Sequence, residues 1–98
     1  MIWRIETAAE AELAEAAEWN DAVRAGLGAE LLDEFDSAVR RIVEFPHAWQ
    51  PLSPRARQHQ LHRFPYAIVY QVQDDEIVIV AVAHLHRQPR YWRDRIKD

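Results

Sequence analysis

The chain has no cysteine, one methionine, one lysine and two glycines, and these scarcities remove whole classes of explanation. Without cysteine there is no disulfide framework, no thiolate nucleophile and no cysteine-based zinc site, so a reducing compartment is the expectation. No apolar run approaches the roughly 20 residues of a membrane span, and no secretory leader pattern is present. The expected setting is the cytoplasm, without a membrane partner. A chain of 98 residues supports one domain, 1–98, with one modest core. Lys97 is the sole lysine, so eleven of the twelve basic residues are arginine, the side chain suited to planar, bidentate or stacked contacts.

Charge is short on one side of the chain. The first 36 residues hold ten acids and two bases, while the remaining 62 hold ten bases, six acids and all five histidines. A net charge of -4 therefore averages an acidic part and a basic part. Two readings follow: a molecule with one face able to meet phosphate or carboxylate, or helices that use acids as ordinary surface residues.

The acidic part reads as a short strand, Ile2 to Glu6, followed by a helical hairpin. Thr7 and Glu10 have capping-box spacing, which predicts a helix from Ala8 with a buried stripe of Ala9, Leu13, Ala16, Ala17 and Val23. Trp19 lies off that stripe, as half-buried packing or as an anchor for a partner. Gly26 suits the helix C-cap and Gly28 loosens the turn into a second helix, Leu27 to Phe45. That helix carries Leu31, Leu32, Phe35, Ala38, Val39, Ile42 and Val43 on one face. Pro46 stops it, and the three prolines between 46 and 54 make a loop pinned by Trp49.

The basic part reads as three strands. Arg55 to Phe64 has polar residues on both faces and is followed by Pro65, which suits an exposed sheet position. If it is extended, Arg55, Arg57, His59 and Arg63 share one face. Tyr66 to Val72 alternates on its even positions, and Ile77 to Ala83 is an unbroken β-branched and alanine run buried on both faces. Asp74 and Asp75 form the turn between them. The expected fold is α+β in the order β-α-α-β-β-β, with the helical hairpin on one face of a mostly antiparallel sheet and the other face partly open.

Gly26-Leu27-Gly28, Pro46, Arg63-Phe64-Pro65-Tyr66, Tyr70 and Ala83-His84-x-x-Arg87-x-Pro89-x-Tyr91-Trp92 occur in an order that resembles the RelE/ParE superfamily of toxins from bacterial toxin-antitoxin modules, and the likeness spans nearly the whole chain. The resemblance implies a growth-inhibiting toxin held inactive by a cognate antitoxin. One fold here hosts two activities: RelE-like members cleave messenger RNA on the ribosome, and ParE-like members inhibit DNA gyrase. For the nuclease, Arg55, Arg57, Arg63, Arg87 and Tyr91 are the positions carried over, with His84 as an added acid or base. Ribonuclease members are strongly basic and use lysines in the first hairpin strand, whereas this chain is acidic and has only Lys97. The expectation is therefore a ParE-like gyrase inhibitor, with a RelE-like nuclease and a non-toxic interaction module of the same fold as the alternatives. Arg87, Tyr91 and Trp92 are the expected partner-binding residues.

The same residues have structural readings. Arg63 and Arg87 can pair with helix acids, Tyr66 and Tyr70 can be core aromatics, and Trp92 can pack the C-terminal segment onto the sheet. His84-x-His86 places two imidazoles on one strand face near His59-x-x-His62. No carboxylate or cysteine lies at ligand spacing, so neither a metal nor a cofactor is expected.

Overall fold

The computed structural model describes residues 1–87 and 89–97. Its elements are strand β1 (Ile2–Ile5), helices α1 (Thr7–Val23) and α2 (Leu27–Glu44), strands β2 (Gln50–Pro51), β3 (Ala56–Gln60), β4 (Tyr66–Gln73) and β5 (Glu76–His84), and a 3-10 turn over Arg93–Arg95. The strands form one sheet in the order β1-β5-β4-β3-β2. Only β1 with β5 is parallel; the other pairs are antiparallel. The expected α+β layout, with the helical hairpin on one face of the sheet, is what forms.

Alternation along β4 sorts the core into two layers. Tyr66, Ile68 and Tyr70 pack under the helices with Leu31, Phe35, Ala38 and Ile42, while Val69 faces the opposite layer. In β5, Ile77 and Ile79 point to the helices and Val78 and Val80 point away. A register shift opposite Val69 and Tyr70 leaves Val80 as an extra residue, since Ala81 pairs with Val69 and Ile79 with Tyr70. The bulge reverses the alternation, so Val82 rather than Ala81 joins the helix-side core.

The second face of the sheet is covered rather than open. Trp92 and Ile96 fold back over Val69, Val78 and Val80. Gln71, the one buried polar residue among the described residues, holds the end of this C-terminal strap. Its Oε1 accepts from the Lys97 N–H at 3.0 Å, and its Nε2 donates to the Lys97 carbonyl at 3.2 Å. A buried primary amide must be satisfied on both sides, and the Lys97 peptide does this.

Several local expectations are corrected. The Thr7–Glu10 capping box does not form. The helix starts one residue early with Glu6 as its N-cap, and the Glu6 N–H is already given to the Ile79 carbonyl at 2.9 Å. Val23 is 66% exposed: it ends the helix, and the inward stripe finishes at Asn20, which donates to the Ala16 carbonyl and the Tyr66 hydroxyl. The first helix ends at Arg24 rather than at Gly26. Gly26 takes φ 93° and begins α2, while the Asp21 carboxylate accepts from the amides of Gly26 and Gly28 at 3.0 and 3.1 Å. Leu32 is exposed, one position off the stripe of Leu31, Phe35 and Val39. β3 is shorter than expected and is flanked by β2, a two-residue strand hidden between prolines. Arg63 lies beyond its end and so leaves the basic row.

Candidate functional site

One side of α1 places Glu12, Ala16 and Trp19 at helical spacing, with Glu15 beside them. Ala16 is small, so the helix approaches β5 closely, and the bulge at Val80 turns Val82 and His84 toward it. The strap then brings Arg87 and Tyr91 back across the end of β5. Together these residues line a cavity of about 500 Å³ that also touches Tyr66. Trp19, at its rim, is 61% exposed, so the half-buried packing reading does not hold.

Two polar devices frame the cavity. β1 stops at Ile5, opposite Ile79, which leaves the next groups on that edge of β5 without a strand. The Arg95 guanidinium donates to the Val80 carbonyl at 2.9 Å, and Glu12 Oε1 accepts from the Val82 N–H at 3.0 Å. Arg95 and Glu12 also join each other through two bonds of 3.1 and 3.0 Å, in the fork geometry that suits arginine and carboxylate. On the open side, Arg87 lies 3.5 Å from Glu15, both side chains more than half exposed. Such a pair is worth little, roughly 0–1 kcal/mol, and either partner is free to exchange it.

Burial and neighbouring charges set the protonation states of two groups at the cavity. Burial first, then Arg87 and His86, lower the His84 pKa below its ordinary value. His84 Nδ1 accepts the His86 N–H at 3.1 Å, which assigns the remaining ring proton to Nε2. Its ring meets Tyr66 edge-on at 5.0 Å. Burial first, and then Glu12, push the Tyr91 phenol well above its usual range, so it stays a neutral hydroxyl with the Arg95 guanidinium over its ring at 5.2 Å.

Of the expected site residues, His84, Arg87 and Tyr91 converge, but Arg57 and Arg63 do not join them. Arg57 donates to the Trp49 carbonyl at 2.8 Å, beside the buried Tyr70, whose pKa burial pushes up to about 12. Arg63 is held by α2 through Glu30 at 3.1 Å and Glu34 at 3.3 Å. Glu34 also accepts the backbone amides of His62 and Arg63, so this turn is moored to the helix by one carboxylate. Trp92, expected to bind a partner, is 9% exposed and packs against the sheet. Glu12 and Arg95 were not singled out by the sequence, because their partnership spans 83 positions and no local spacing reveals it. Among the described residues, no group of three or more His, Asp or Glu side chains is placed to hold a metal, and no helix is long and apolar enough to cross a membrane.

A family model described as the ParE toxin of the type II toxin-antitoxin system, parDE, matches residues 4–89. The chain belongs to the ParE toxin family. No curated protein sequence matches it. Among solved structures it is similar to a chain of the chromosomal ParDE toxin-antitoxin system from P. aeruginosa, with a TM-score of 0.76 at 18% identity. The match covers 88% of this chain and 97% of that one. As a ParE-family member it is a type II toxin, of the kind that is paired with an antitoxin. The family match extends over α1, the bulge, His84 and Arg87, and ends before Tyr91 and the strap.

Proposed function

We propose that this toxin arrests growth by binding DNA gyrase, with no nucleolytic step, and that its cognate antitoxin covers the cavity between α1 and the end of β5. The observation that carries the proposal is the dispersal of the arginines. A metal-free ribonuclease needs cations gathered where the phosphorane forms, together with a base and an acid within reach of it. Here Arg57 is spent on the Trp49 carbonyl and Arg63 on Glu30 and Glu34. The remaining trio of His84, Arg87 and Tyr91 faces Glu12 and Glu15, whose charge opposes the approach of a phosphate chain. The cavity instead offers what a protein partner uses: an exposed tryptophan, an apolar floor of Ala16, Tyr66 and Val82, and a weak ion pair at the rim.

The test runs purified protein in two assays. Gyrase supercoiling should fall in its presence, and the antitoxin should restore it, while ribosomes programmed with messenger RNA show no new cleavage. Trp19→Ala should weaken antitoxin binding on the order of tenfold or more, as expected for an exposed aromatic that a partner buries. Codon-positioned cleavage abolished by Tyr91→Phe would replace this reading with the nuclease one.

A further inference from the structure

A second cavity, of about 310 Å³, lies on the opposite face of the sheet under the C-terminal strap. Its floor is Leu52, Trp92 and Ile96, and its remaining walls are Ser53, Arg90 and Arg93. We propose that this cavity binds a carboxylate carried on an apolar protein segment, with Arg90 and Arg93 holding the anion and the floor taking the neighbouring side chain. Both arginines lie beyond the residues matched by the family model, 4–89.

Three observations converge. Neither side chain has an ion pair among the described residues, although most other arginines of the chain do. The Ser53 hydroxyl is buried and without a hydrogen-bond partner, an uncommon state for a group that can both donate and accept. Arg90 is held at φ 61°, a region that costs a bulky residue roughly 1–2 kcal/mol, and its carbonyl accepts the Arg93 N–H at 3.0 Å. That turn fixes the two arginines three positions apart at one mouth. A strained backbone with two uncommitted guanidinium groups beside an orphaned hydroxyl is an arrangement that an incoming oxyanion completes.

The apolar floor selects the carrier. A nucleic acid strand would call for a row of cations and a chain of favourable overall charge, but the net charge here is -4 and the floor is aliphatic and indole surface. A smaller cavity, of about 250 Å³, continues past Arg90 along Gln50, Gln58 and Ala83, so an extended acidic and apolar segment has room to lie across β2 and β3. The proposal rests on the reading that the toxin works through protein partners, but it concerns the other face of the sheet.

The test is an NMR titration of the full-length 15N-labelled protein with the probe peptide acetyl-Leu-Glu-Leu-Asp-Leu-amide. Saturable shifts are expected at the Arg90 and Arg93 side chains and at Ser53. They should weaken about tenfold or more in the Arg90→Ala, Arg93→Ala double variant, as two charge-assisted hydrogen bonds require. Both residues are exposed, so the variant should keep its circular dichroism spectrum. No saturable binding, equal binding by the double variant or by a peptide with lysine at both acidic positions, or tighter binding of oligo(dT) at the same resonances would each overturn the proposal. Loss of peptide binding with gyrase inhibition intact removes this site alone; peptide binding without gyrase inhibition removes only the reading of the target.

Discussion

Removing the Glu12 carboxylate should be the costliest single change on the surface of α1. Its side chain and that of Arg95 are 22% and 29% exposed, so the pair is only partly screened by water. Glu12→Ala deletes two charge-assisted bonds to Arg95 and strands the Val82 amide, which has no other acceptor on that edge of β5. Charge-assisted bonds contribute about 1.5–3 kcal/mol, and an orphaned buried donor costs about 1–3 kcal/mol. Because Arg95 can regain water and still bond the Val80 carbonyl, the sum is discounted to about 3 kcal/mol. For a domain of this size that corresponds to a fall in Tm of roughly 12–24 °C. Glu12→Gln, which keeps an acceptor for Val82, should lose about half as much. The assay is urea unfolding of Glu12→Ala, of Arg95→Ala and of the double variant carrying both, with a coupling energy of about 1–2 kcal/mol expected from the cycle. A Glu12→Ala loss no larger than that of Glu10→Ala, an exposed site on the same helix that should stay within about 0.5 kcal/mol, would refute the role given to this carboxylate.

Two further outcomes follow from the packing and the protonation states. Gly28→Ala would place a Cβ 2.5 Å from the Ala17 carbonyl oxygen, whereas Gly26→Ala meets nothing within 4 Å and suffers only its φ of 93°. The first should cost more than about 2 kcal/mol and the second about 1 kcal/mol in urea unfolding; equal losses would mean that α1 and α2 are not in close contact at Ala17. The pKa of His59 is lowered from 6.5, by burial first and by Arg41 second. Arg41 Nε donates to its Nε2 at 3.3 Å and Trp49 stacks on the ring at 4.1 Å. The unfolded chain therefore takes up the proton first: this contribution to stability is complete above about pH 6.5 and declines as pH falls through that value toward the folded pKa. His59→Asn should flatten the decline in urea midpoint between pH 7.5 and 5.5, and parallel curves for the two proteins would exclude His59 as its source.

What the sequence makes legible is what period and punctuation encode. The stripe of Leu31, Phe35, Ala38 and Ile42 and the alternation from Tyr66 to Tyr70 each declare a buried face within a dozen residues, so helices, strands and hairpin are found at nearly their true bounds. β2 is not legible, because two residues between prolines have no period. The anchors that place the site are invisible for a related reason. Glu34 reaches the amides of His62 and Arg63 across 28 and 29 positions, and Glu12 meets Arg95 across 83. In a one-dimensional reading Glu10, Glu12, Glu15 and Glu18 of α1 look alike; only folding separates Glu12, which completes a strand edge, from Glu10, which faces water.

The cavity itself depends on the least legible feature of all. Between Ile77 and Ala83 every residue is apolar and suits either face, so nothing in the composition reports that Val80 is the extra residue in its strand. Without the bulge, strict alternation from Ile77 and Ile79 would carry Ala81 and Ala83 toward the helices and turn Val82 and His84 to the strap. His84 would then meet Trp92 instead of Tyr66, and the Val82 amide would point away from Glu12. One additional residue in β5 therefore decides which face of the sheet receives His84, and with it whether the arginine and tyrosine that follow reach the groove beside α1. The parallel pairing with β1 stops at Ile79, beside the same bulge, and leaves the edge that Glu12 and Arg95 complete, so the site and its principal clasp meet at one point of β5.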